Sequence, residues 1–152
     1  MPTIQNGNAT IYYEVHGSGF PILTFAPAGL LSTINVWSQP MAPVKPVDEW
    51  AANHRVIVMD QRNAGGQSHA PLTPKDGWDS YTSDHIAVLD HLKIEKAHVV
   101  GLSMGGFATL HFGFRHPHRA LCLTVAGCGY GAEKGQEDKF RKEVEVVVAT
   151  IR

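Results

Sequence analysis

Ser103 is the residue whose surrounding sequence most clearly indicates a chemical role. It lies in the sequence V-V-G-L-S-M-G-G, between an apolar run that ends at Val100 and residues 104–116, which have helical character and end before Pro117. This pattern predicts a strand, a tight turn that carries the serine, and a helix. Acyl-transfer enzymes present a nucleophilic serine on such a turn. A glycine-rich turn with an incidental serine is the alternative, and the flanking strand and helix favour the nucleophile.

The neighbours of Ser103 fit the same chemistry. Gly101 and Gly105 lack the β-carbons that would collide in so tight a turn, and Gly106 lets the following helix pack close to the strands. The helix that begins at Met104 directs its free N–H groups and the positive end of its dipole at whatever the serine attacks. These groups would stabilise a developing oxyanion.

Length and composition limit the classes of function. The 152 residues suffice for one domain with a core, and the chain is 43% hydrophobic and 18% charged, with a formal net charge of -1. This balance gives no basic surface for nucleic acid or an anionic membrane. The N-terminus lacks a leader pattern and no apolar run reaches transmembrane length. We therefore expect a cytoplasmic protein whose partner is a small molecule.

The cysteines and histidines do not indicate a metal site. Cys122 lies in the apolar run 120–126, which predicts a buried thiol, and a cytosolic chain disfavours a disulfide. The sequence contains neither H-E-x-x-H nor clustered Cys and His residues, so no metal and no cofactor are expected. His85 and His91 are expected at exposed helix positions.

Strands and helices alternate along the chain after an antiparallel start. The predicted strands are residues 3–5, 11–15, 22–25, 56–59, the run that ends at Val100, and 121–126. The predicted helices are residues 48–53, 83–92 (with a cap from Ser80, Thr82 or Ser83), 104–116 and 139–152, and residues 39–47 are predicted to be irregular.

This order predicts an α/β protein with a mostly parallel sheet and helices on both faces. Such sheets bind ligands at the carboxyl ends of their strands. Ser103, the loop at Ala28–Gly29 and the loop after Asp60 all fall at that edge. A phosphate-binding role for residues 101–106 would need G-x-G-x-x-G spacing and an acidic residue about 20 positions later, and both are lacking.

Several segments in this order resemble one known family. They are N-G-N-A-T-I-Y-Y-E-V-H-G-S-G, P-I-L-T-F-A-P-A-G-L, R-V-I-V-M-D-Q-R-N-A-G-G-Q-S and G-L-S-M-G-G. Together they resemble the N-terminal half of the α/β-hydrolases, in the branch with a serine nucleophile, and cover nearly the whole chain. The resemblance implies an α/β-hydrolase fold truncated after the sixth strand. Residues 1–131 would be the N-terminal part of the core, and residues 132–152 would begin a lid or cap helix.

The resemblance also implies roles for individual residues. Ser103 would be the nucleophile, the N–H of Met104 one oxyanion donor and the N–H of Leu30 the second, although Ala28–Gly29 replaces the common His-Gly pair. Asp60 and Arg62 would organise the neighbouring loop. A serine rather than an aspartate at the turn speaks against dehalogenase or epoxide hydrolase chemistry. The implied reaction is hydrolysis of an ester, lactone, thioester or related acyl substrate through an acyl-serine intermediate.

The acid and the histidine of a catalytic triad are missing from this pattern. Most members of the family place them well over a hundred residues after the serine, and only 49 residues follow Ser103. His98 and His111 lie about 15 and about 12 Å away along the strand and the helix. His69 is left as the histidine whose loop could approach the site.

Two hypotheses follow from the missing base. The chain is a fragment of a longer serine hydrolase whose remainder supplies Asp and His, or it is a non-catalytic hydrolase-like module for binding or assembly. In either case the last strand, residues 121–126, would form an open apolar edge that invites self-association.

Overall fold

Six strands form one mixed sheet in the computed structural model, which describes residues 2–128 together with Asp138, Lys142 and Glu145. The strands are β1 (Thr3–Asn6), β2 (Ala9–His16), β3 (Pro21–Phe25), β4 (Arg55–Met59), β5 (Ala97–Leu102) and β6 (Ala120–Ala126). Their spatial order is β1-β2-β4-β3-β5-β6. The helices are α1 (Pro46–Trp50), α2 (Trp78–His91) and α3 (Met104–Arg115), with short 3₁₀ turns at Gly29–Leu31, Ile34–Ser38 and Pro117–Arg119.

The sheet is antiparallel at its start and parallel from β4 onwards. β1 pairs with β2 across the predicted turn, with Asn6 opposite Ala9, and β2 pairs antiparallel with β4. The pairs β3–β4, β3–β5 and β5–β6 are all parallel. The predicted mostly parallel α/β sheet is therefore confirmed.

Alternating side chains give the sheet two buried faces. Leu23, Phe25 and Ile57 point to the side where Val88 of α2 and Phe112 of α3 complete the larger core. Val56 and Val58 point to the other side, where they pack with Trp37 and with residues of α1. Helices thus lie on both faces, as predicted.

Two helices begin earlier than predicted. α1 begins at Pro46 rather than at residue 48, because proline suits the first helical position and Glu49 Oε1 accepts the N–H of Lys45 at 2.9 Å. α2 begins at Trp78 rather than at residue 83, and its N-cap is Gly77, with no side-chain cap. The predicted caps at Ser80, Thr82 or Ser83 are therefore wrong.

β6 lies at the edge of the sheet and is largely exposed. Leu121 and Val125 are exposed on it, which agrees with the predicted open apolar edge. Cys122 is exposed as well, so its predicted burial is wrong: the apolar run forms an edge strand, and the Sγ of Cys122 contacts Nδ1 of His98 at 3.3 Å.

The predicted helix over residues 139–152, and the lid or cap segment 132–152, lie outside the described residues except at three positions. Asp138, Lys142 and Glu145 are helical and exposed. Across the described part of the chain, no helix has the length and apolar character needed to cross a membrane.

Candidate active site

Ser103 occupies the turn between β5 and α3 in a backbone conformation that L-residues rarely adopt. Its φ is 55° and its ψ is -118°, and the residue is exposed. Its N–H donates to the carbonyl of Ala126 at 2.8 Å, and its carbonyl accepts the N–H groups of Gly106 and Phe107 at 2.8 and 3.2 Å. These bonds hold a strained turn that presents the hydroxyl at the carboxyl edge of the sheet.

Three glycines allow this turn to pack closely. A β-carbon on Gly101 would overlap the carbonyl of Gly105, and one on Gly105 would overlap the carbonyl of Phe25. On Gly106 it would lie 2.6 Å from Sγ of Cys128. The close approaches predicted for these glycines therefore exist, and they join the turn to β3 and to the end of β6.

The two predicted oxyanion donors lie on neighbouring segments. Met104 is the first residue of α3, a position whose N–H has no acceptor within the helix. Leu30 lies in the 3₁₀ turn Gly29–Leu31, which follows β3, and β3 pairs with β5 with Phe25 opposite Gly101. The loop that carries Leu30 thus leaves the sheet next to the turn that carries Ser103.

Asp60 fastens that loop to the loop after β4. Its buried carboxylate accepts the N–H of Ile34 at 2.8 Å and the N–H of Gln67 at 2.7 Å. Ser32 closes the same loop on itself, because its hydroxyl donates to the carbonyl of Ala26 at 2.7 Å. The organising role that the resemblance implied for Asp60 agrees with these bonds.

Arg62 joins the loop after β4 to α2. Its Nε and Nη2 donate to the two carboxylate oxygens of Asp84, each at 2.7 Å, and the side-chain amide of Asn6 adds a bond of 2.8 Å to Asp84. The hydrogen bond with Asp84 raises the pKa of Arg62. Through the buried carboxylate of Asp84, Arg62 thus links the loop after β4 to α2 and to Asn6 at the end of β1.

No histidine bonds to Ser103 in the part of the chain that the structure describes. The side-chain hydrogen bonds of histidines go to Glu14, Thr82 and Cys122. His69 is exposed, and its backbone pairs with Thr10 on β2. This pairing fixes the backbone of His69 beside β2, on the side that faces β4, and β3 lies between β4 and β5, the strand that leads to Ser103.

His85 is buried, which corrects its predicted exposure. It is 3% exposed on α2, and its ring stacks on Phe25 with centroids 3.9 Å apart. Desolvation lowers its pKa to about 3, so the ring is neutral at ordinary pH. The prediction failed because this helix is covered on more than one side. His91 on the same helix is exposed, as expected.

The described residues contain no group of three His, Cys, Asp or Glu side chains that could hold a metal ion. At the candidate site, the described residues supply the exposed hydroxyl of Ser103, the N–H of Met104 at the start of α3 and a loop held by Asp60 and Ser32. Acyl transfer in general needs a nucleophile of this kind and N–H groups that stabilise the oxyanion.

The sequence model of the alpha/beta hydrolase fold matches residues 27–143, most of the chain. The chain belongs to the α/β-hydrolase family. A protein of Azorhizobium caulinodans assigned as a carbamate hydrolase, RutD, is 33% identical over 82% of this chain and 43% of its own length. The rhodomycin D methylesterase DnrP of Streptomyces peucetius is 36% identical over 82% of this chain and 42% of its own length.

Solved structures agree on the α/β-hydrolase fold. A meta-cleavage product hydrolase, CumD, superposes with a TM-score of 0.72 at 22% identity, over 95% of this chain and 56% of that one. The chain thus spans about half the length of the relatives it matches.

Sequence reasoning missed two residues of this α/β-hydrolase site. Ser32 is buried and closes the loop of Leu30, and Asp84 is the buried acceptor for Arg62. Ser32 follows a turn rich in small residues, where a hydroxyl often bonds to nearby backbone, so a local signal existed. Asp84 carries no local signal, because its partners come from distant segments.

Proposed function

We propose that this chain carries the nucleophilic half of a serine hydrolase that acts on an ester, lactone or related acyl substrate. The observation that carries the proposal is the backbone of Ser103, which holds an exposed hydroxyl at positive φ directly before the N-terminus of α3. Strain of this kind persists where the surroundings enforce it, and it is concentrated at active sites.

The reaction would proceed through an acyl-enzyme. The hydroxyl oxygen of Ser103 attacks the acyl carbon, its proton passes to a base, and the resulting oxyanion accepts hydrogen bonds from the N–H groups of Met104 and Leu30. The leaving group departs with a proton as the acyl-serine forms. Water then attacks the same carbon and restores the hydroxyl.

The names of the relatives support the substrate class. One is named for cleaving a methyl ester and the other for cleaving a carbamate, and both bonds join a carbonyl carbon to a heteroatom leaving group. The machinery at Ser103 suits this shared feature, because it stabilises charge on the carbonyl oxygen.

We also place the acid and the histidine in sequence beyond these 152 residues. The histidine bonds described above go elsewhere, and the chain spans about half the length of its relatives. Intact mass spectrometry of the protein from its native source tests this. A longer chain is expected, and a mature chain that ends at Arg152 would contradict it.

A fluorophosphonate probe tests the nucleophile. We expect it to label the longest natural form of the protein, and Ser103→Ala to abolish labelling. Ser18→Ala is the matched control. Ser18 is also exposed, but it lies before the amino end of β3, whereas Ser103 follows the carboxyl end of β5. Absence of labelling in both the 152-residue and the longer protein would favour the non-catalytic binding module.

A further inference from the structure

A cavity lies at the amino ends of the parallel strands, whereas Ser103 follows the carboxyl end of β5. Pro21 and Arg55 begin β3 and β4, Lys96 directly precedes β5, and Leu121 lies near the start of β6, and all four residues line the cavity. Its volume of about 510 Å³ is within the range of small-molecule sites in proteins, roughly 300–1,000 Å³. Lys96 and Ser103 flank the two ends of β5, so the cavity lies roughly 20 Å from the candidate active site.

Phe20 forms an apolar wall of this cavity, and its backbone is held in place. The side chain is 71% exposed, and it lines the cavity. The N–H of Arg55 donates to the carbonyl of Phe20 at 3.1 Å. The preceding Gly19 has a φ of 111°, and a β-carbon there would lie 2.9 Å from the carbonyl oxygen of Asn53. The turn before β3 therefore presents a large aromatic side chain to the cavity from a closely packed backbone.

Arg119 fixes another wall of the cavity, which Ile94 and Glu95 form. Its Nε donates to the carbonyl of Glu95 at 2.7 Å, and its Nη2 donates to the carbonyl of Ile94 at 3.0 Å. The same Nη2 pairs with the carboxylate of Asp90 on α2 at 2.7 Å. The walls are therefore in place before a ligand binds, and this order reduces the conformational entropy that binding costs.

The charged side chains of the cavity carry one positive charge in excess. Arg55 and Lys96 are cationic and Glu95 is anionic. None of the three takes part in a salt bridge among the residues that the structure describes. Arg55 and Lys96 belong to the strands on either side of β3, so the two cations flank the start of that strand. A ligand with a single negative charge complements this arrangement.

We propose that this cavity is a second ligand site, which binds an aromatic monocarboxylate. The carboxylate accepts hydrogen bonds from Arg55 and Lys96, and the aromatic ring packs against Phe20 and Leu121. A guanidinium can bind a carboxylate through two parallel N–H donors, which fixes the orientation of the ligand. Two aromatic rings in contact attract each other beyond the effect of the area that they bury. Glu95 disfavours a ligand with further negative charge.

Equilibrium binding of 2-naphthoate to the longest natural form of the protein tests this site. The fluorescence of the probe follows binding, and 2-naphthamide is an uncharged probe of nearly the same shape. We expect 2-naphthoate to bind at least about fivefold more tightly than 2-naphthamide. Arg55→Gln together with Lys96→Gln should remove this preference and leave the binding of 2-naphthamide unchanged. Phe20→Ser should weaken the binding of both probes, because both rings lose the same contact.

Lys75→Gln and Leu72→Ser are the matched controls. Both residues are exposed on the connection from β4 to α2, outside the lining of this cavity, so their loss should leave both affinities unchanged. Thermal melting verifies that each variant is folded. Lys96→Gln alone, at an exposed position, should weaken 2-naphthoate about twofold or more and serves if the double variant unfolds. Equal affinities for the two probes, no saturable binding of 2-naphthoate, or equal effects of the cavity and control variants would overturn the site.

Discussion

Ser103 keeps its strained backbone because its surroundings leave it no room to relax. A residue with φ of 55° outside glycine costs on the order of 1–3 kcal/mol, which other contacts must offset. The carbonyl groups that Gly101 and Gly105 approach belong to α3 and β3, so both neighbours of the turn are fixed. The position of the hydroxyl is therefore determined by backbone packing.

Gly101→Ala should disrupt this packing. The new β-carbon would overlap the carbonyl of Gly105 and approach Oγ1 of Thr109, so we expect a loss of about 1–3 kcal/mol in the free energy of unfolding. Urea denaturation measures it. Gly77→Ala is the control, because a β-carbon there meets open space, and its cost should be limited to the exchange of a glycine N-cap for alanine, about 1 kcal/mol or less. Equal effects of the two substitutions would contradict the packing argument.

His85 should make the fold sensitive to acid. The unfolded chain takes up a proton at this ring as the pH falls below 6.5, whereas the folded chain, with a pKa of about 3, does not. As the pH is lowered from 6.5 toward about 3, the free energy of unfolding should therefore decrease, by up to about 1.4 kcal/mol per pH unit from this group. Chemical denaturation at a series of pH values measures the slope.

The matched pair for this prediction lies on one helix. His85→Leu should remove its share of the slope, while His91→Leu, at an exposed position of α2, should retain it. An unchanged slope in His85→Leu would mean that the buried ring is not the group that resists protonation.

Elements with strong local signals were predicted from the sequence. The hairpin of β1 and β2 follows from the turn at Asn6-Gly7-Asn8, in which Gly7 has a positive φ, and the unit β5–Ser103–α3 follows from glycines that only a tight turn requires. Local turn chemistry fixes both, so no distant residue was needed to recognise them.

Elements shaped by distant partners were predicted less well. α2 packs against both β1 and α3, so it buries polar residues such as Thr82, Asp84 and His85 that a single apolar stripe would leave exposed. Its helical periodicity was therefore clear only in its second part. At the candidate site, the sequence predicted the turn that carries Ser103 and the start of α3 at Met104, but the hydrogen bonds of Ser32 and Asp84 depend on tertiary contacts.

Asp84→Ala should destabilise the connection between β4 and α2. It removes the shared acceptor of Arg62 and Asn6 and leaves a largely buried guanidinium, so we expect a loss of about 3 kcal/mol in the free energy of unfolding. Asp79→Ala is the control, because Asp79 on the same helix pairs with Arg115 at the surface and should cost less than about 1 kcal/mol. Comparable losses in urea denaturation would contradict a special role for the buried pair.

The two edge strands of the sheet, β1 and β6, differ in length and exposure. β1 is short and ends the antiparallel side, whereas β6 ends the parallel side with exposed apolar residues. Unpaired backbone groups along such an edge form a template for another strand. Self-association through β6 is therefore expected of the 152-residue chain.

Thr124→Lys should reduce this association. A lysine on an edge strand brings charge repulsion and hydration to a position where a second strand would dock. Thr124 is exposed on β6, and Gln5→Lys on β1, at the other edge, is the control. Sedimentation velocity over a range of concentrations should show a shift toward monomer for Thr124→Lys alone. A monomer at all concentrations without any substitution would contradict the expectation.

The hydrogen bond from Ser103 to Ala126 also bears on the order in which the molecule is built. Ala126 is the last residue of β6, so it leaves the ribosome only after all of α3 has been made. Until then the nascent turn lacks the acceptor that holds its strained amide. Ser103 therefore reaches its final conformation only after the sixth strand has been made and has joined the sheet.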